Sequence, residues 1–204
     1  CEDREERMNS FSNSAAIVGI GATEFSKESG RSELQLSCEA TLAALADAGL
    51  TPKDVDGLVT FKMDNSSEIA LARELGMGDL RFFSRVDYGG GAACGTVQQA
   101  AMAVATGVAD VVVCYRGFNE RSGQRYGQVQ SWAATQINSN GLDNAWSYPY
   151  GLSTPAATVA MQARRYMHEY GATSRDFGVV AVADRKHAAT NPNAFFYGKP
   201  ITIE

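Results

Sequence analysis

The chain reads as an α/β protein built on a mainly parallel sheet, and three observations predict this. Apolar segments of strand length alternate with amphipathic segments of helix length, the pattern that βαβ units leave in a sequence. The run "ADVVVCY" at 109–115 is apolar apart from Asp110 at its start, as expected of a central strand covered on both faces. The stretch "VDYGGGAACG" at 86–95 sets Gly89, Gly90 and Gly91 between a strand and the helix that follows it.

Residues 1–14, "CEDREERMNSFSNS", carry charge without periodicity and read as a solvated leader. A first strand is expected in "AAIVGIGATEF" (15–25), an apolar run punctuated by Gly19 and Gly21. Ser32 and Gln35 have capping-box spacing, Leu34, Cys38, Leu42 and Leu45 recur at helical intervals, and Gly49 closes that helix. "DVDGLVTF" then reads as a strand, "SSEIALARELGM" as a helix and "FFSRV" as a strand. The glycines open a helix expected to be buried, with Val97, Ala100, Ala101 and Val104 on one face and Gly107 at its end.

Between 117 and 154 periodicity fades into Ser, Asn, Gln and Gly with scattered aromatics, the composition of a long binding loop or a small subdomain. Helical order returns at Thr154, a cap followed by Pro155, with Val159, Ala163, Tyr166, Met167 and Tyr170 on one face. Thr173 and Asp176 cap a second helix, and "KPITIE" starts a further strand. A strand that stops at the last residue leaves its far side uncovered, so the expectation is that the natural chain continues or is completed by another.

Composition narrows the classes of function. A net charge of −5 and no cluster of Lys and Arg give no electrostatic basis for binding nucleic acid. No apolar run approaches the roughly 18 residues of a membrane span, and the acidic amino terminus is unlike a signal peptide, so a cytoplasmic location is expected. Cys1, Cys38, Cys94 and Cys114 lie far apart with only His168 and His187 beside them, which spells neither a disulfide framework nor a metal site.

Chemistry is therefore sought at the glycines. A helix amino end offers unpaired N–H groups and partial positive charge, and glycine lets an oxyanion approach the backbone; the same three glycines serve equally for tight packing alone. Their spacing is neither GxGxxG with an acidic partner nor GxxxxGK[ST], which argues against dinucleotide and P-loop sites. Tyr88 precedes the tip and is either a local acid/base candidate or a packing residue. Cys94 is either a thiolate helped by the helix dipole or a structural cysteine. Tyr148 and Tyr150 flank Pro149 and are candidates to wall an apolar ligand channel.

The stretch "AAMAVATGVADVVVCYRG" resembles the buried helix and following strand of the thiolase superfamily, and "GLSTPAATVAMQARRYMHEYGATSRDFGVVAVADRKHAATNPNAFFYGKPITIE" is similar to that superfamily's loop-domain helices. "ARRYMHEYG" looks like the branch of sterol carrier protein X and nonspecific lipid-transfer proteins. The resemblance implies a layered αβαβα fold of which this chain supplies the first half (15–117), the loop domain (118–200) and the start of a strand leading into a second half (201–204). It places the superfamily's cysteine nucleophile at Gly90, with Cys94 about one helical turn later. Glycine cannot attack a thioester.

What remains at Gly89, Gly90 and Gly91 is a backbone-lined pocket able to stabilise an oxyanion or enolate. The resemblance accordingly implies an aldolase that cleaves a steroid side-chain β-hydroxyacyl-CoA to a ketone and a short acyl-CoA, with its main acid/base groups beyond Glu204. The alternatives are a thiolase-type acyltransferase using Cys94 and a noncatalytic lipid or acyl-CoA binding subunit. It further implies a CoA thioester as substrate with no resident cofactor, a homodimer through the edge strand "VVVCY" or its neighbour, and a small OB-fold acyl-CoA-binding partner. Arg164, Arg165, Arg185 and Lys186 are candidates to meet CoA phosphates, or simply the wet faces of their helices.

Overall fold

A computed structural model describes residues 11–61, 66–87, 93–119, 146–152 and 154–204, apart from the side chain of Tyr148. The chain divides into two compact units, Cys1–Gln124 and Arg125–Glu204.

Among the described residues of the first unit, three parallel strands are ordered β2-β1-β3, with β1 at Gly57–Phe61, β2 at Phe82–Val86 and β3 at Val112–Cys114. Every residue of β1 is buried. Leu58 points to one face, where it packs with Leu45, Val55, Leu71 and Tyr115. That face is covered by helices α1 (Glu33–Asp47) and α2 (Glu68–Leu75), which contribute Leu45 and Leu71. Helix α3 (Gly95–Ala105) packs against all three strands. The crossover from β2 to the parallel β3 requires α3 to run back against the strand direction, so its amino end lies at the carboxyl edge of the sheet.

The opposite edge is tied by one carboxylate. Asp56, just before β1, accepts from the amides of Asp110 at 3.0 Å and Val111 at 2.9 Å, before β3, and from Arg81 Nε at 2.9 Å, before β2. Burial acts to raise its pKa, but the two amides and the guanidinium outweigh this and hold the carboxyl below its ordinary range.

Most expected helix ends are met by the bonds that motivated them. Ser32 accepts from the amide of Gln35 at 3.1 Å, and Gly49 and Gly107 adopt the left-handed conformation after their helices; at the second helix, where no cap was named from the sequence, Ser67 accepts from the amide of Ala70 at 3.2 Å and Gly76 is likewise left-handed. The capping box at Ser32 is only half made, because the Gln35 amide turns along the helix to Glu39 at 3.0 Å.

Three expectations for this unit are corrected. Residues 15–25 form no ladder with any described strand; they run along α1 instead. Gly19 and Gly21 permit that approach, since a Cβ on either would stand 2.3 Å from the carbonyl of Ala44 or Ala40. Ile17, Val18, Ile20 and Phe25 are left exposed. The "ADVVVCY" run gives a three-residue strand at the edge of the described sheet, half open to solvent because no described strand lies beyond it. The inward face of α3 centres on Ala103, and Val97 is exposed, so the helix covers the sheet on one side without being enclosed.

The second unit holds a short 3₁₀ turn at Tyr148–Tyr150 and helices α4 (Pro155–Tyr170) and α5 (Ser174–Thr190). Thr154 accepts from the Ala157 amide at 3.2 Å with Pro155 in the first position, and the Thr173 amide donates to Asp176 at 2.7 Å. No residue of either helix is buried; of the expected α4 face only Ala163 and Met167 are half-buried, while Val159, Tyr166 and Tyr170 are exposed. Tyr166 stacks with Tyr170 at 4.8 Å and meets Phe177 of α5 at 6.3 Å. "KPITIE" forms no strand among the described residues.

Candidate active site

The carboxyl edge of a parallel sheet is where α/β proteins place ligands, because strand ends and helix amino ends meet there. In the first unit β1 ends at Phe61, β2 at Val86 beside it in register, and α3 begins across the same edge.

Cys94 is the N-cap of α3, so it stands nearer the helix tip than the superfamily register implied. Its backbone is right-handed helical rather than extended, and its side chain makes no capping bond. The amides of Thr96 and Val97 are already spent on the carbonyls of Ala93 and Cys94, each at 3.2 Å. Donors available to a ligand at this end must therefore lie before Thr96. Gly95 sits close to the sheet, where a Cβ would reach Val86 Cγ1 at 3.5 Å. Tyr88, Gly89, Gly90 and Gly91 lie outside the described residues.

The strand after α3 contributes two side chains to the same face. Paired residues of parallel strands point to one side, so Cys114, opposite Val59, lies across the sheet from Leu58. Its thiol donates to the Thr96 carbonyl of α3 at 3.4 Å. Burial of the sulfur pushes this thiol above the ordinary range, against the opposing effect of that bond, although the residue keeps an open outer surface. Cys38 is also pushed up, by burial and then by Glu74 and Glu39. Both behave as structural cysteines.

Tyr115 continues the ladder through its amide to Val59 at 3.1 Å and turns to the α1/α2 face, where its hydroxyl donates to the Ser66 carbonyl at 2.8 Å. Arg116 therefore returns to the α3 face. Its guanidinium carbon lies 5.3 Å from the Phe61 ring centre and 4.4 Å from that of Phe118. The next residues fix this position. A Cβ at Gly117 would fall 2.1 Å from Ser37 Oγ and 2.7 Å from the Glu33 carbonyl, so glycine is required. Asn119 donates to the Arg31 carbonyl at 2.7 Å and accepts from Ser29 at 3.2 Å. Arg31 in turn is paired with Glu24 and Glu39.

Arg116 and Asn119 were not singled out from the sequence. The usable signal was a cation two residues past an apolar strand, between two aromatics and followed by glycine.

In the second unit, Tyr150 is 81% exposed on its turn. Arg164, Arg165 and His168 line a shallow groove on α4 with Met161, Met167 and Ala172, and Arg165 pairs with Glu169 one turn on. Arg185 stacks on Phe196 at 3.9 Å and donates to the Lys199 carbonyl at 3.1 Å. Among the described residues no group of His, Cys, Asp or Glu is arranged to hold a metal, and no helix is long and apolar enough to cross a membrane.

Comparison with known proteins gives consistent matches. The thiolase N-terminal domain family matches residues 15–204. A 17-hydroxy-3-oxo-4-pregnene-20-carboxyl-CoA lyase of Mycobacterium tuberculosis is 72% identical over 95% of this chain and 50% of its own length. A steroid side-chain-cleaving aldolase of Thermomonospora curvata is 70% identical over 97% of this chain and 50% of its own. A solved structure described as an Ltp2-ChsH2(DUF35) aldolase superposes with a TM-score of 0.80 at 70% identity, covering 92% of this chain and 47% of that one. The chain thus spans about half the length of the curated relatives it matches.

Proposed function

Because the chain belongs to the thiolase family, in which residues 15–204 correspond to the N-terminal domain, we propose that it forms part of a carbon–carbon lyase that cleaves the side chain of a steroid β-hydroxyacyl-CoA. The observation that carries this reading is the 72% identity, across 95% of the chain, to a relative named for that reaction on a 17-hydroxy steroid CoA ester. The glycine at position 90, where the resemblance puts the acylating cysteine, supports a reaction that needs no covalent acyl-enzyme.

In the proposed retro-aldol step the hydroxyl on the ring carbon gives up its proton to a base. The bond from that carbon to the α-carbon of the thioester breaks, and the ring carbon becomes a ketone. The electron pair passes to the thioester as an enolate, and protonation of its α-carbon releases the short acyl-CoA. The acid/base groups are proposed to come from the half of the protein that the relatives possess and this chain does not span. Tyr88, Gly89, Gly90 and Gly91 would line the reacting end, and Tyr148 and Tyr150 an apolar wall. The CoA thioester enters as substrate, with no resident cofactor, and Arg164, Arg165, Arg185 and Lys186 are candidates to meet its phosphates. A homodimer, a small OB-fold acyl-CoA-binding partner and a cytoplasmic location complete the reading; the two-component description of the solved relative supports a partner.

The test is incubation of the full-length protein, with and without such a partner, with a 17-hydroxy steroid side-chain CoA ester. Release of the 17-ketone with Cys94→Ala at full turnover is the expected result. Loss of turnover in Cys94→Ala, with rapid alkylation of Cys94 in the parent, would replace the lyase with an acyltransferase; tight binding without product would replace it with a binding subunit.

A further inference from the structure

We draw no further inference here: the strongest candidate, the shallow groove on α4 lined by Met161, Arg164, Arg165, Met167, His168 and Ala172, belongs to the CoA-phosphate reading already given, and nothing among the described residues shows what fills it.

Discussion

Removing the Asp56 carboxylate should unfasten the amino-terminal edge of the three described strands. Asp56 is the shared acceptor for two backbone amides ahead of β3 and for Arg81 ahead of β2, and its side chain is only 15% exposed. In Asp56→Ala the amides of Asp110 and Val111 lose their partner. A buried donor left unsatisfied costs about 1–3 kcal/mol, and a bond to a charged acceptor is worth about 1.5–3. Because Asp110 is exposed, water can reach its amide and relieve part of that loss. The expected destabilisation is therefore about 2–4 kcal/mol, with a fall in Tm of roughly 2–4 °C for each kcal/mol in a chain of this size.

Asp56→Asn keeps one acceptor and should fall between the parent and Asp56→Ala. Urea unfolding of the parent and both variants measures this directly. The pH dependence gives a second reading. The folded carboxyl is held below its unfolded value near 3.9, so the unfolded state binds the proton more readily. The advantage of the parent over Asp56→Asn is then complete above pH ~5 and is lost as pH falls through the depressed folded value. A loss under 0.5 kcal/mol in Asp56→Ala, or a parent-to-Asn difference that grows on acidification, would refute the reasoning.

The other expectations concern close approaches, one buried hydroxyl and the thiols. Gly117→Ala should destabilise strongly through contact with Ser37 Oγ, and Gly117→Ala combined with Ser37→Ala should cost measurably less than the sum of the two, as a double-mutant cycle in urea would show. Gly21→Ala should cost more than Gly49→Ala in thermal unfolding. The first drives a Cβ to 2.3 Å from the Ala40 carbonyl, whereas the second meets nothing within 4 Å and suffers only its positive φ, about 1 kcal/mol. Tyr115→Phe deletes one buried hydrogen bond to Ser66 and should lower stability by about 1 kcal/mol. Alkylation of Cys38 and Cys114 should keep accelerating with pH beyond the range where an ordinary thiol levels off, which a timed labelling series followed by mass spectrometry resolves.

What the amino-acid sequence determined by itself was local. Caps at Ser32, Thr154 and Thr173, left-handed glycines at 49 and 107, and the apolar run of β1 all arise between residues a few positions apart, so helices and strands were legible in order. The parallel sheet followed from their alternation, and the family from longer stretches of wording. Tertiary structure decided everything that needs two distant segments at once. Residues 15–25 looked like a strand, but a strand exists only where a neighbour offers a ladder, and their glycines met α1 instead. "ADVVVCY" looked central because apolarity reports burial without saying what lies on each side, and in the described sheet it is an edge. The place of Arg116 became legible only when the pairing of β3 with β1 put its guanidinium over the Phe61 ring. Side-chain direction is set by pairing across the sheet, and no spacing along the chain encodes that pairing.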